Sequence, residues 1–228
     1  MLNRALAVRF ASLLANALAA GSLAAQVSVV GRLSITDKDG RPADDVGQAV
    51  VWLTGAHAGP GRPVRAEMAT EGKQFLPHLL VVPVGSTVGF PNHDGFRHNV
   101  FSLSPEATFD LGLYGRGDGR TARFDSAGTV QVYCNVHAQM RGIVKVVASA
   151  LTAQPGADGT FRIAGVPPGD YLLHAWHERG AEEVTQPVRV TAGADVPVAV
   201  VLDARGYRQV QHRDKNGRPY KSDRSRRY

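Results

Sequence analysis

One short run of residues carries a soft set of metal ligands. The run CNVHAQM, residues 134–140, places a thiol, an imidazole and a thioether at Cys134, His137 and Met140. Two histidines and one cysteine in a trigonal arrangement, with a long and weak axial methionine, form the copper site of blue electron-transfer proteins. The spacing therefore predicts a copper centre that needs one further histidine.

The second histidine has two candidates in the segment FPNHDGFRHNV, residues 90–100. His98 stands at the start of an apolar run, where its side chain can reach the core end of a β-sandwich. His93 lies within the preceding loop instead. We therefore predict His98 as the ligand and keep His93 as the alternative.

The residues before Cys134 read as a β-strand that would hold the thiol in the core. In GTVQVYC, alternation places Val130, Val132 and Cys134 on one face. Residues 135–140 then form a loop, so His137 and Met140 can fold around a common point. The next strand, GIVKVV, closes that loop.

These two segments resemble cupredoxins. The stretch GFRHN, with Asn92 six residues before the histidine, resembles the segment that bears the first histidine ligand in plastocyanins, and the spacing of the Cys134 loop is similar to that of amicyanins. The resemblance covers about residues 65–148 and implies a Greek-key sandwich with one type 1 copper. Arg97 departs from the proline common at its position, which affects the local surface. The resemblance implies that copper is bound by His98, Cys134, His137 and Met140, and that Asn99 ties the two ligand loops together.

Simpler interpretations exist for each residue alone. Cys134 could be an inert buried thiol, Met140 a core filler and His137 a surface residue. Zinc accepts Cys and His, but a thioether is a poor zinc ligand, so the methionine favours copper. Coordination would also explain a single cysteine in an exported chain, where thiols commonly pair as disulfides.

The rest of the chain also reads as β-structure without substantial helix. The stretch DGTFRIAGVPPGDYLLHAW, residues 158–176, resembles the carboxypeptidase-regulatory-like or transthyretin-like sandwich, whose usual opening is similar to residues 29–53. We therefore predict that residues 26–64 and 149–203 form a second, non-catalytic sandwich, interrupted by a copper domain at residues 65–148. In the alternative, the early strands belong to the copper domain. Pairing of residues 29–36 with 158–165 or 196–202 distinguishes the two.

The two ends of the chain differ from the middle. Residues 1–25 have the basic start and apolar run of a secretory signal peptide, which predicts a periplasmic protein; an uncleaved anchor is the alternative. Residues 204–228 carry nine Lys or Arg and two Asp, a charge of +7 that exceeds the net charge of +6 of the whole chain. Such a charge block predicts a disordered segment that is either simply solvated or weakly attracted to an acidic partner or a membrane surface. No nucleic-acid motif accompanies it.

Together these features predict a one-electron carrier and not an enzyme. A copper nitrite reductase or oxidase needs a further histidine-rich copper site, and the remaining histidines do not supply one convincingly. The partner would be a transient redox protein such as a cytochrome c or a periplasmic dehydrogenase, bound through a small patch. The alternatives are a copper storage or delivery protein and a non-redox structural sandwich.

Overall fold

The chain is all-β. A computed structural model describes residues 27–55 and 57–220; the predicted signal peptide and residues 221–228 lie outside this part. In it the only helix is a single 3-10 turn, Val46–Gln48, and no helix is long and apolar enough to cross a membrane. The predicted fold class is confirmed. The strands are β1 (Val27–Thr36), β2 (Val50–Gly55), β3 (Arg65–Glu67), β4 (Ala69–Glu71), β5 (Gln74–Leu76), β6 (Leu79–Pro83), β7 (Ser86–Asn92), β8 (His98–Ser104), β9 (Ala107–Tyr114), β10 (Gly117–Phe124), β11 (Gly128–Cys134), β12 (Arg141–Val147), β13 (Thr152–Ala153), β14 (Thr160–Val166), β15 (Gly169–Trp176), β16 (Val184–Val190) and β17 (Val196–Asp203).

The middle of the chain forms two five-stranded sheets around one core. One sheet has the order β6-β12-β11-β8-β9, and the other has β10-β7-β4-β5 with β3 beside β7. Side chains from both sheets pack together, including Phe90 from β7 and Val132 from β11. Cys134 and Met140 belong to this same apolar cluster, so the candidate ligands lie at the edge of a packed core.

The outer parts of the chain form two further sheets around a separate core. β1 lies between β14 and β17, with Val29 opposite Ile163 and Val196. β2 pairs with β13 and β15, so in the described residues both early strands pair with partners from residues 152–203. This pairing is the one expected if the middle domain interrupts the second sandwich. The long apolar side chains of β1, β14 and β15 alternate inward because each strand has one face on the core.

The two sandwiches meet through a small apolar contact. Trp52 from β2 packs in one cluster with Ile143 and Val147 from β12. Lys145 of β12 is 5% exposed, and its ammonium lies 5.0 Å from the ring centre of Trp52 and 4.8 Å from that of Trp176. The aromatic faces and a hydrogen bond to a threonine hydroxyl stabilise this buried cation.

The segment after β17 differs from the disordered tail predicted from its charge. Residues 207–220 contact the middle sandwich: the Arg141 guanidinium donates to the Tyr207 hydroxyl, and the hydroxyl of Tyr220 donates a 2.7 Å hydrogen bond to the carbonyl oxygen of Cys134. The ring of His212 stacks on Tyr133 with centres 4.2 Å apart. Aromatic and backbone contacts order the segment, and composition alone does not report such contacts.

Candidate metal centre

Three predicted ligands meet at one end of the middle sandwich. The Nδ1 atoms of His98 and His137 each lie 3.6 Å from the sulfur of Cys134. All three potential ligand atoms lie within 4.8 Å of one another. Within residues 27–55 and 57–220, this is the one group of three or more His, Cys, Asp or Glu side chains that approach so closely.

The spacing of these atoms fits a single metal ion. Metal bonds of about 2.0 Å to nitrogen and about 2.3 Å to sulfur, at angles of about 109° to 120°, separate the two ligand atoms by roughly 3.5 to 3.7 Å. The observed 3.6 Å separations of both histidine nitrogens from the sulfur fall within this range. Two imidazoles and one thiolate are the in-plane ligands of a type 1 copper site, so the donor set also fits.

The strand β11 and its following loop place the thiol, as predicted. Val130, Val132 and Cys134 are fully buried, which confirms the alternation read from the sequence. The loop then turns back on itself. The Met140 amide donates to the carbonyl of His137 at 3.0 Å, and the Cys134 amide donates to the carbonyl of Met140 at 3.2 Å. Met140 is buried in the same apolar cluster as Cys134.

His98 and not His93 approaches the thiol. His98 is the first residue of β8 and is completely buried. The side chain of His93 is 53% exposed, and its Nδ1 lies 3.9 Å from the carboxylate of Glu71. The position at the start of an apolar strand was therefore the informative signal.

The two ligand-bearing segments are joined through the backbone of Asn99. Its carbonyl accepts a 2.9 Å hydrogen bond from the amide of Asn135, directly after Cys134. The side chain of Asn99 makes a separate contact: its Nδ2 donates to the carboxylate of Asp110 at 2.6 Å. Asn99 thus lies between the ligand loops as the resemblance implies, but its main chain makes the connection.

Asp94 is a site residue that the sequence analysis missed. Its Oδ2 lies 2.8 Å from Nε2 of His98, the ring nitrogen that does not face the thiol. The same carboxylate accepts hydrogen bonds from the amides of Gly72 and Lys73. A carboxylate on the outer nitrogen of a ligating histidine fixes the ring orientation and its tautomer. An acidic residue four positions before the histidine was the available signal.

Asn92 shapes the loop that brings this aspartate to the histidine. Its Oδ1 accepts the Asp94 amide at 2.9 Å, and its Nδ2 donates to the carbonyl of Phe96 at 2.9 Å. Both bonds are local Asx-type contacts that fold the chain back on itself. The side chain is completely buried, so these bonds compensate for its loss of water.

The surroundings of the thiol favour its charged form. Burial by itself raises the pKa of Cys134, but the hydrogen bond with His98 lowers it. Backbone amides, including those of Asn99 and Val136, lower this pKa further, and the result lies below the ordinary value for a thiol. Metals bind the thiolate form of cysteine, so these surroundings favour coordination by Cys134.

Comparison with solved structures finds copper proteins that are similar to part of this chain. No family model and no curated protein matches. A purple cupredoxin from Nitrosopumilus maritimus is similar at 26% identity over 36% of this chain and 99% of its own, with a TM-score of 0.33. Amicyanin from Paracoccus versutus is similar at 22% identity over 42% of this chain and 97% of its own, with a TM-score of 0.33. A copper-containing nitrite reductase from Thermus scotoductus SA-01 is similar at 27% identity over 41% of this chain and 25% of its own, with a TM-score of 0.35.

The site is closed on one side and accessible on the other. His98 and Cys134 are completely buried, whereas His137 is only half-buried. Two exposed apolar residues flank His137: Phe96 is 41% exposed and Val136 is 48% exposed. The ring centres of Phe96 and His137 are 5.4 Å apart. The arrangement can exclude water from a metal ion while keeping one ligand ring close to the surface.

Proposed function

We propose that this chain is an exported carrier of single electrons, with one type 1 copper per molecule. The observation that carries the proposal is the position of two imidazole nitrogens, each 3.6 Å from one buried cysteine sulfur. Copper bound there would supply a one-electron couple between its cuprous and cupric forms. The ligands would be His98, Cys134, His137 and Met140.

In this function the protein would hold the ligands in fixed positions and keep one ligand close to the surface. His98 and Cys134 belong to neighbouring strands of one sheet, so their separation is fixed by backbone hydrogen bonds. The Asp94 carboxylate holds the His98 ring at its outer nitrogen. A rigid ligand set limits structural change on electron transfer, and half-buried His137 gives the electron a short route to the surface.

Met140 would complete the site as its weak axial ligand. It is buried in the same apolar cluster as Cys134, and its backbone is hydrogen-bonded to Cys134 and His137. A thioether in this position favours copper over zinc, which takes Cys, His and carboxylate ligands. The identity of the axial ligand is also a main determinant of the reduction potential.

The second sandwich would have a non-catalytic role. We propose that residues 26–64 and 149–203 form a carboxypeptidase-regulatory-like module that carries the copper domain of residues 65–148. Its own core and its pairing of β1 with β14 and β17 support this division. Export to the periplasm and transient contact with a cytochrome c or a periplasmic dehydrogenase are parts of the same proposal.

The decisive experiment is spectroscopy of the copper-loaded protein with metal analysis. We expect one copper per chain and an intense thiolate-to-copper band in the visible range that bleaches reversibly on reduction. His98→Ala should abolish the band, whereas the matched variant His93→Ala should retain it. A colourless protein that holds only cuprous ions would instead indicate storage or delivery, and a chain that binds no copper would indicate a structural sandwich.

A further inference from the structure

The segment after β17 holds a basic turn against the ligand loop. The amide of Lys215 donates a 2.9 Å hydrogen bond to the side-chain oxygen of Asn135, the residue after Cys134. The Lys215 ammonium pairs with Asp110, which also accepts from Asn99. Two more contacts, the Tyr220 bond to the Cys134 carbonyl and the stacking of His212 on Tyr133, fix the segment on either side of this turn.

The turn itself is well defined by its own hydrogen bonds. The amide of Asp214 donates to the carbonyl of Arg218 at 2.8 Å, and the Asp214 carboxylate accepts from the Arg218 amide at 2.8 Å. Gly217 has φ +74°, which suits glycine at this corner. The guanidinium groups of Arg213 and Arg218 are exposed on this docked turn, residues 213–218. Their charge is therefore held beside the copper loop instead of being dispersed in solvent.

Further basic residues lie near Phe96 and next to His98, on the other ligand-bearing segment. The ammonium of Lys73 is 5.4 Å from the ring centre of Phe96, which itself packs against His137. Arg97, next to His98, is exposed. The acidic groups close to these residues are mostly engaged: Asp94 with His98 and backbone amides, Asp110 with Lys215, and Asp214 with the backbone amides of its own turn. Glu71 is the exposed exception and lies near His93.

We propose that the docked turn, together with Lys73 and Arg97, forms a basic rim that binds an acidic electron-transfer protein over His137. The inference rests on the proposed function and adds the charge of the partner. An apolar centre made by Phe96 and Val136, bordered mainly by basic groups, suits a brief encounter that opposite charge accelerates. The second sandwich supplies part of this surface, because the turn is the continuation of β17.

A protein partner explains the surface better than a membrane. The basic groups lie on a turn bonded to the loop that carries His137 and beside Phe96, which packs against that imidazole, so an acidic protein with its own redox centre would approach the one ligand that reaches the surface. A membrane surface requires only a patch of positive charge, with no relation to His137. The placement of the turn on the ligand loop is thus the distinguishing observation.

The test measures electron transfer from the reduced, copper-loaded full chain to small probes of opposite charge. Ferricyanide takes one electron and becomes ferrocyanide, and tris(phenanthroline)cobalt(III) takes one electron and becomes the cobalt(II) complex. In stopped-flow measurements we expect R213E/R218E to slow ferricyanide by on the order of tenfold at low ionic strength and to accelerate the cobalt complex. Both rate differences between R213E/R218E and the unaltered chain should decrease with added salt.

The matched control is R62E/R65E, which reverses two exposed charges at the end of the middle sandwich that lies away from the site. Arg65 pairs with Thr87, near the beginning of β7, whereas Asn92 at the end of β7 lies by the site. The control should change both rates by less than about twofold. Equal effects of the two double variants, or no effect of R213E/R218E, would overturn the proposed rim. If R213E/R218E does not fold, R213Q/R218Q provides the same comparison with a smaller effect.

Two binding probes separate an acidic protein from a membrane. A poly-glutamate peptide should inhibit the ferricyanide reaction of the unaltered chain and not that of R213E/R218E. Vesicles of phosphatidylglycerol should not bind more strongly than the peptide; strong vesicle binding without peptide inhibition would overturn the proposed partner. Throughout, an intact visible band shows that the copper site is formed, so failure of the rim is distinguishable from failure of the proposed function.

Discussion

The carboxylate of Asp94 lies 2.8 Å from Nε2 of His98, while Nδ1 of the same ring lies 3.6 Å from the sulfur of Cys134. The imidazole therefore connects a buried acidic group with the thiol that would bind copper. Negative charge transmitted through this ring should stabilise the more positive cupric form. The contact makes Asp94 a positioning residue with a measurable electrostatic effect.

Asp94→Asn should raise the reduction potential of the copper-loaded protein. The amide has nearly the same shape but no negative charge, so the cupric form loses stabilisation. For one electron, each tenfold change in the equilibrium corresponds to about 60 mV, and we expect a shift of about that size. Voltammetry measures it. Asp125→Asn, at an exposed ion pair with Arg123, is the control and should leave the potential unchanged.

Cys134→Ser should abolish the visible charge-transfer band and weaken copper binding. A serine hydroxyl keeps the size of the side chain but is a hard donor that does not ionise at neutral pH. The loss of affinity should exceed the roughly 10–100-fold typical for removing an outer partner of a metal ligand. Titration with copper while absorption is recorded checks both effects. A variant that retains its colour would contradict the ligand assignment.

Met140→Leu should retain the visible band but raise the reduction potential by about 60 mV or more. Leucine fills a similar volume without a sulfur donor, so the cupric form loses a weak ligand while the core stays packed. Met68→Leu is the control, because Met68 is equally buried in the same cluster and packs against Gly142 of β12, yet is not a predicted ligand. An equal shift in both variants would indicate a packing effect instead of lost coordination.

Glu178→Gln should make the free energy of unfolding of the copper-free chain less dependent on pH in the acidic range. Burial raises the pKa of Glu178, but the hydrogen bond with His78 and the charge of Arg141 lower it, leaving it below its ordinary value of 4.5. A lowered pKa gives stability that is present above 4.5 and is lost as pH falls through the folded-state pKa.

The measurement for Glu178 is thermal unfolding across this acidic range. The difference between the unaltered chain and Glu178→Gln should be about 1–3 kcal/mol near neutral pH and should decrease on acidification. The exposed Glu182→Gln serves as control and should follow the unaltered chain. A difference that grows as the pH falls would show that Glu178 does not stabilise the fold as a charged group.

The sequence predicted those parts of the site that depend on local pattern. Alternation in β11 gave the inward direction of Cys134, and the loop of residues 135–140 followed from the end of that strand. His98 was preferred to His93 because it begins an apolar strand, and the structure places it beside the thiol. Each inference needed only neighbouring residues and the period of a β-strand.

Other features depend on contacts between distant segments and could not be predicted in the same way. Asp94 reaches His98 because the side chain of Asn92 folds the intervening loop. The docking of residues 204–220 depends on contacts such as that of Tyr220 with the Cys134 carbonyl, far away in the chain. Composition indicated charge in this segment but carried no information about partners within the same molecule.

The points where the chain enters and leaves the middle sandwich are neighbours. Pro60 bridges Ser149, and the Ala150 amide donates to the carbonyl of Gly59 at 2.8 Å. Pairing β2 with β13 and β15 in an unfolded chain requires closing a long flexible loop, which costs conformational entropy. Once the intervening residues have folded, their ends are already close together, so the remaining entropic cost of this pairing is small. The order of events during folding should therefore run from the inside of the chain outward, with the first and last strands joining late.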